Sequence, residues 1–522
     1  VQVKEQGNLK LSVPIRPTLG QWNADPEREI PIGASPDMLN LRVRSGLLCK
    51  RYGYAELETD GGIGQAITGL YGTRDLEGNS YLFATGTTKI YRFDPATLHW
   101  VEVTGAGLTG TDQKLFSFAT SQNKMVFCQG VDPVKVVTFG VDTYASLNAN
   151  APAARFLERF NQRLNLGSTV EGGNPLPFRH RWPVALDHTD WVGLGSGFRD
   201  QVESPVTMQG IRKLGLNMAL YYTNLIEVAI PQPTALAPFR YETRVADIGL
   251  LAPFTLHGRN QIHYFLGTDA FYQFDGTTPT EIAPQVREAI FASLNPAKLD
   301  IMFADVLPDT QEYIVFLAMG SDQVTPDAPW VFNFARGIWY PWSTSGMRAS
   351  TLYPLDQTAT WDTATGDWDT SAYEWDSHVL SSVAPVFLTG NQSGKVYKWG
   401  PQFLSDDGAS IPCRWTSSDF TSEKLFQMPG KQISLRRIYI TYKAIGVPFT
   451  LRFYTSVDGG GSWQGPYSVM GNSLSSGFKT LHVDTLCVGN QIRFKFENDT
   501  TTETFQIAEF NATFELHQTQ TT

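Results

Sequence analysis

The stretch HYFLGTDAFYQFDGTTPTEIA, His263 to Ala283, carries the pattern that decides the fold. An apolar run ends at Leu266 and gives way to a turn of Gly267, Thr268 and Asp269. An aromatic strand with Tyr272 and Phe274 follows, and Asp275-Gly276 opens the next turn. Glycine takes positive φ without steric cost and an Asp carboxylate can cap a turn, so these positions mark chain reversals. The stretch reads as short antiparallel strands joined by tight hairpins.

The same unit recurs on both sides. YLFATGTTKIYRFDPATLHWVEV runs from Tyr81 to Val103, and PVFLTGNQSGKVYKWG from Pro385 to Gly400. Weaker copies are KLFSFATSQNKMVFCQG, RFNQRLNLGST with FRHRWPVALDHTDW, IRKLGLNMALYYTNLIEVAI, and EYIVFLAMG with WVFNFARGIWYPWS. A period of about 40–50 residues is that of four-stranded propeller blades. Tyr313-Ile314-Val315-Phe316-Leu317 is apolar at every position. A strand covered on both faces, as between stacked blades, is expected to look like this.

Six or seven units, some of them irregular, fit between about residue 46 and residue 405. The early strand Gly46 to Leu57 is expected to pair beside the last unit and close the ring, which removes a free edge. Only QVREAIFASL, Gln285 to Leu294, has helical spacing, while ARFLERFNQRL is open between a short helix and a strand. Beyond SDDGAS, polar and apolar residues alternate cleanly, as in ISLRRIYITY and QIRFKFEN. That alternation suits two packed sheets with one wet face each. The chain is thus expected to be all-β: an N-terminal extension (1–45), a β-propeller (46–405) and a C-terminal β-sandwich of jelly-roll or immunoglobulin-like type (411–518).

Composition agrees with many short strands and turns: 12 % of the 522 residues are aromatic, 18 % are charged, and 46 are Gly. The net charge of −10 disfavours a tight grip on duplex DNA, which needs clustered Lys and Arg. The basic spots Arg179, Arg181 and Lys431, Arg436, Arg437 are small and read as solvated surface. The cysteines at 49, 128, 413 and 487 share no metal or redox spacing and sit among apolar neighbours, as buried free thiols would. No apolar run reaches the ~20 residues that span a bilayer, so no stable membrane insertion is expected. The first residues lack the apolar middle of a signal peptide, and synthesis in a cytoplasm is expected.

Two motifs stand apart from the repeats. WDTATGDWDTSAYEWDSH places Trp361-Asp362, Trp368-Asp369 and Trp375-Asp376 seven residues apart. No second apolar register accompanies them, so a coiled coil is not implied. No EF-hand-like ligand spacing is present, so no metal is assigned. These six residues are expected to form an insertion whose Trp rings either pack on a neighbouring blade or anchor a protein contact.

The second motif, YTSVDGGGSW, fits the Asp-box pattern S-x-D-x-G-x-[ST]-W through Ser456, Asp458, Gly460, Ser462 and Trp463. That pattern recurs on the blades of sialidases. Here it occurs once and in the sandwich part. Its chemistry is structural: the carboxylate accepts N–H bonds across a turn, and glycines allow the required φ. A sialidase also needs an arginine cluster and a Tyr/Glu nucleophile pair. H-E-x-x-H, G-x-x-x-x-G-K and G-x-S-x-G are all absent. His180 and His188 read as satisfied core or surface histidines, and Asp406-Asp407-Gly408 as a linker turn. No catalytic residue and no cofactor is assigned.

Several stretches together resemble a known family. They are PIGASPDMLNLRVRSGLLCKRYG (Pro31 to Gly53), GLYGTRDLEGNSYLFATGTTKIYRFD, PAARFLERFNQRLNLG with FRHRWPVALDHTDW, FLGTDAFYQFDG, VFNFARGIWYPWS, the W-D-T repeats and GNQSGKVYKWG. They cover most of residues 30 to 405 and resemble the tail hub or nozzle propeller proteins of short-tailed phages, including packaged-DNA stabilisation proteins. The resemblance implies a virion protein in a homo-oligomeric ring, commonly a hexamer, below the portal and adaptor. It implies contacts with the portal-adaptor ring and other tail proteins. Genomic DNA would pass through without specific binding, and the ring would help retain and release it. An acidic lumen would suit that passage, because it repels phosphates. The alternatives are a receptor- or carbohydrate-binding tail propeller and a sialidase-like glycan hydrolase.

Overall fold

The structure is a computed structural model that describes residues 3–5, 8–202, 206–234, 237–259, 261–354, 385–472 and 477–517. It is all-β. Seven four-stranded antiparallel sheets follow one another, six of them formed by consecutive strands within 69–103, 117–146, 153–200, 208–246, 257–281 and 303–341. We call these blades 1 to 6. Blade 7 combines Met347–Tyr353, Val386–Asn391 and Val396–Trp399 with Tyr54–Glu56 from the start of the chain.

Each blade buries both faces against its neighbours, which explains the continuously apolar strands. In Glu312–Leu317 of blade 6, Tyr313, Val315 and Leu317 pack toward blade 5, whereas Ile314 and Phe316 pack toward blade 7. In blade 4, Ala219 and Tyr221 face blade 5 while Met218, Leu220 and Tyr222 face blade 3. A side-chain period of two deals alternate residues to two different cores. At roughly 1.5–3 kcal/mol per buried large apolar side chain, these double-sided strands are a main source of stability. Such interfaces continue between blades 1 and 2, 2 and 3, and finally 7 and 1, so the ring is a closed seven-bladed propeller.

Closure uses less of the early strand than expected. Within Gly46 to Leu57 only Tyr54–Glu56 joins blade 7, pairing Tyr54 with Trp399 and Glu56 with Tyr397. Leu47–Lys50 instead pairs with Leu41–Arg44 and with Ile507. The propeller therefore begins at 54 and not at 46. Residues before it are not an extension either. Asn8–Ile15 pairs along Gln506–His517, and Met38–Leu39 pairs with Cys413–Thr416. The sandwich is built from both ends of the chain, and the propeller is inserted into it.

One sandwich sheet has seven strands and runs from Val3–Glu5 to Gly477–Gly489; the other has six and includes Phe449–Ser456 and Gln491–Asn498. Between them Trp415, Phe453, Phe494, Phe496 and Phe510 pack ring against ring, with Trp415 and Phe510 centroids 5.5 Å apart. Ala153–Phe160, left open by its sequence, is the inner strand of blade 3. The helical spacing at Gln285 to Leu294 yields only the short α-helix Arg287–Phe291, whose buried residue is Ile290.

Propeller and sandwich share one continuous core along the outer edge of blade 6. The outer strand Ile338–Pro341 would offer a free edge, but Gln21 N donates to Trp339 O (2.8 Å) and Asn40 N to Pro341 O (3.0 Å). Arg51, fully buried, fastens the joint. Its Nε donates to Asn40 Oδ1 (2.8 Å), Nη1 to Tyr52 O (2.9 Å), Nη2 to Ser343 O (2.8 Å), and the fork to both Asp406 oxygens (2.8 and 2.5 Å). All five guanidinium donors are used. Asp406, which the sequence presents as a linker turn, is thus an anchor.

Candidate functional site

The first strand of each blade lines the axis. Together the seven inner strands line a cavity of about 380 Å³. Its apolar lining includes Leu70, Phe116, Phe156, Phe254, Phe303 and Ala349. Further along the same strands the lining turns polar: Glu158 and Asp305 follow Phe156 and Phe303 by two residues, on the same strand face. Glu158 comes from blade 3, Arg212 from blade 4, His257 from blade 5, Asp305 from blade 6 and Ser350 from blade 7. Blades 1 and 2 contribute Tyr71 and Phe118, whose rings stack at 5.3 Å and 10°.

The layer is electrostatically connected. Arg212 Nη1 donates to Leu256 O (3.2 Å), and its Nη2 lies 3.2 Å from His257 Nε2. His257 Nε2 also sits 3.2 Å from Asp305 Oδ1. Asp305 accepts from its neighbour's backbone, Val306 N (2.8 Å). Burial raises the Asp305 carboxyl to about 6, against hydrogen bonds from Val306 and Ser350 and the nearby Arg212 charge. Burial raises Glu158 as well, opposed by Arg212. The same burial, with Arg212 beside it, holds His257 far below its ordinary value, so the imidazole is neutral. His257 Nδ1 is buried without a hydrogen-bond partner. The layer therefore offers two carboxyls whose protonated form burial favours, beside the Arg212 guanidinium.

The residues singled out in the sequence lie elsewhere. Trp361, Asp362, Trp368, Asp369, Trp375 and Asp376 fall outside the described residues; the segment that holds them joins Met347–Tyr353 to Val386–Asn391 in blade 7. The Asp-box turn links two strands of the sandwich. Asp458 there accepts from Ser456 Oγ (2.6 Å), Ser462 N (2.9 Å) and Ser462 Oγ (2.6 Å), which depress its pKa. Gly460 N donates to Ser456 Oγ (2.9 Å), and Lys495 Nζ sits 4.7 Å from the Trp463 ring. Gly459 and Gly460 hold φ of 72° and 94°, which the turn requires. All these contacts stay within the sandwich.

His180 is buried between Tyr241 OH (2.8 Å) and Asn165 Oδ1 (3.1 Å), and His188 pairs with Ser121 Oγ. Arg179 is held by Asp200 and Glu171, and Arg437 by Asp484. All four cysteines are free and buried. Among the described residues no group of three or more His, Cys, Asp or Glu could hold a metal, and no helix is long and apolar enough to cross a membrane. The axial layer was missed in the sequence. Its members recur one to an inner strand, Glu158, Arg212, His257 and Asp305, but Arg155, Arg159, Gln209, Lys213 and Arg259 on the same strands mask the pattern.

No family model matches the chain, and no curated protein matches it. Similar solved structures include the computationally designed Ika8 protein, at 11 % identity and TM-score 0.35, covering 66 % of this chain and 99 % of that one. Another is the extracellular domain of a hybrid two-component system from B. thetaiotaomicron, at 8 % identity and TM-score 0.41, with 76 % of this chain and 44 % of that chain covered. A third is an exo-β-1,3-galactanase from Phanerochaete chrysosporium, at 12 % identity and TM-score 0.26, with 88 % and 99 % covered. Likenesses this loose transfer no function.

Proposed function

We propose that the chain is a non-enzymatic structural protein of a phage tail, a nozzle or hub subunit that assembles with its own copies into a ring. The observation that carries this is the joint between the two domains. One core runs through propeller and sandwich, and Arg51 spends every donor on locking them. A subunit that must transmit load without bending is served by such a joint. The propeller's own cavity, about 380 Å³ and lined by all seven blades, is too small for a DNA path. The genome would run instead along the axis of the assembled ring, past an acidic surface that does not hold phosphates.

One face of the propeller suits neighbours. Antiparallel strands put the first-to-second and third-to-fourth connections of every blade on the same side. Exposed there are Leu76, Leu186, Val192, Leu194 and Leu216, the last two 82 % and 89 % exposed. Apolar side chains gathered on one face are a common mark of a contact surface. Met347–Tyr353 ends and Val386–Asn391 begins on that side too, and Trp361, Trp368 and Trp375 lie between them in the sequence. The neighbours would be further copies, the portal-adaptor ring and other tail proteins, assembled in the host cytoplasm into the virion tail.

Mass measurement and electron microscopy of the purified chain, alone and in virions, test this. An axial ring is the expected result, and changing all three Trp to Ala should reduce ring formation while circular dichroism stays unchanged. A peripheral position would favour the receptor- or carbohydrate-binding alternative. A monomer that cleaves a sialoside would replace the structural reading with an enzymatic one.

A further inference from the structure

Buried polar groups stay in a fold when something satisfies them. Glu158, Arg212, His257, Asp305 and Ser350 form an arc over five successive blades, and Tyr71 and Phe118 complete the circle with an aromatic wall. Glu158 acts electrostatically on Tyr71, which places arc and wall within reach of each other. The guanidinium of Arg212 is shared with Leu256 O and His257, and His257 Nδ1 has no partner.

Ligand classes separate by charge and size. An anion would meet two carboxyls, and a cation would meet Arg212 in the middle of the arc. A metal lacks three close ligands among the described residues. A purely apolar molecule would strip water from Glu158, Arg212 and Asp305 and offer them nothing in return. A neutral polyol uses donors and acceptors together, and its C–H face suits an aromatic ring. The cavity of about 380 Å³ falls at the small end of ligand pockets, with space for about a dozen waters at ~30 Å³ each.

We propose that this axial chamber binds one neutral hexose ring, its C–H face on the Tyr71–Phe118 wall and its hydroxyls shared among Glu158, Arg212, His257 and Asp305. The site does not depend on the tail assignment. The sugar can be free or can be the end of a glycan, and methyl glycosides separate the two sources. A free-sugar site rejects the added methyl, whereas a glycan-end site accepts it.

Calorimetry and saturation-transfer NMR of the full chain with glucose, galactose, mannose and their methyl glycosides test the proposal. Saturable binding with Kd of order 1 mM is expected for at least one of these sugars. Glu158→Gln and Arg212→Met should each weaken it at least tenfold, with folding checked by near-ultraviolet circular dichroism; Ser462→Ala, in the distant turn, should leave it unchanged. Absence of saturable binding by every sugar tested would overturn the proposal. So would binding that survives both Glu158→Gln, which keeps size and shape, and Arg212→Met.

Discussion

Replacing Arg51 by Met isolates the joint between propeller and sandwich. The guanidinium is inaccessible, while Asp406, its ion-pair partner, is 12 % exposed. Met fills much of the same volume but leaves the Asp406 carboxylate without its bidentate partner and strips Ser343 O and Tyr52 O of their donors. Asn40 Oδ1 loses less, because Ser343 N still donates to it at 2.8 Å. Removing one member of a buried pair costs about 3–5 kcal/mol, and roughly 4 kcal/mol is expected here. That is a large share of a typical stability of about 5–15 kcal/mol. Urea unfolding followed by tryptophan fluorescence should show an early transition in which the sandwich separates from the blades. Arg51→Lys keeps the charge but loses the fork and should fall between the two. A loss below about 1 kcal/mol with a single unchanged transition would put this ion pair in the class of exposed ones and refute the reasoning.

Asp305 gives a pH signature. Its carboxyl is raised to about 6 from an ordinary 3.8, so the folded state binds the proton more tightly than the unfolded one. Stability should therefore fall as pH rises from roughly 4 to 6 and then level off, with a total of about 3 kcal/mol for this group. Asp305→Asn should flatten that slope and gain stability at neutral pH relative to wild type; equal effects on both sides of the window would contradict it. Arg42 and Glu312 test the second tie between the domains. Arg42 Nη2 reaches Glu312 Oε2 at 2.8 Å, both side chains are buried, and Tyr340 OH donates to the same carboxylate. Arg42→Met should cost about 3–5 kcal/mol, and adding Glu312→Gln should recover much of it in a double-mutant cycle read by thermal unfolding.

The propeller was legible because its signals are local. Each hairpin places its turn residues beside its own strands, as in Gly267 to Gly276, and the unbroken apolar run of Tyr313 to Leu317 reports two covered faces. What was hidden depends on distant pairing. Tyr54–Glu56 is too short to announce that it closes blade 7. Nothing near Asn8–Ile15 shows that its partner is Gln506–His517. The axial layer is hidden for the same reason: Glu158 and Asp305 look like single surface acids until the ring brings their strands round one axis. Asp406 has the neighbours of a loop residue, and only Arg51 reveals its task.

The strand order also sets a timetable for the newborn polypeptide. Asn8–Ile15 leaves the ribosome long before the segment that covers its edge, Gln506–His517. At about 5–20 residues per second, roughly 25–100 s separate the two. All seven blades can close in that interval, while the first half of the sandwich waits with open backbone and apolar side chains. A chain cut short before Gln432–Ala444 would carry a finished ring and an unfinished, adhesive tail of β-structure, and chaperone demand should concentrate there.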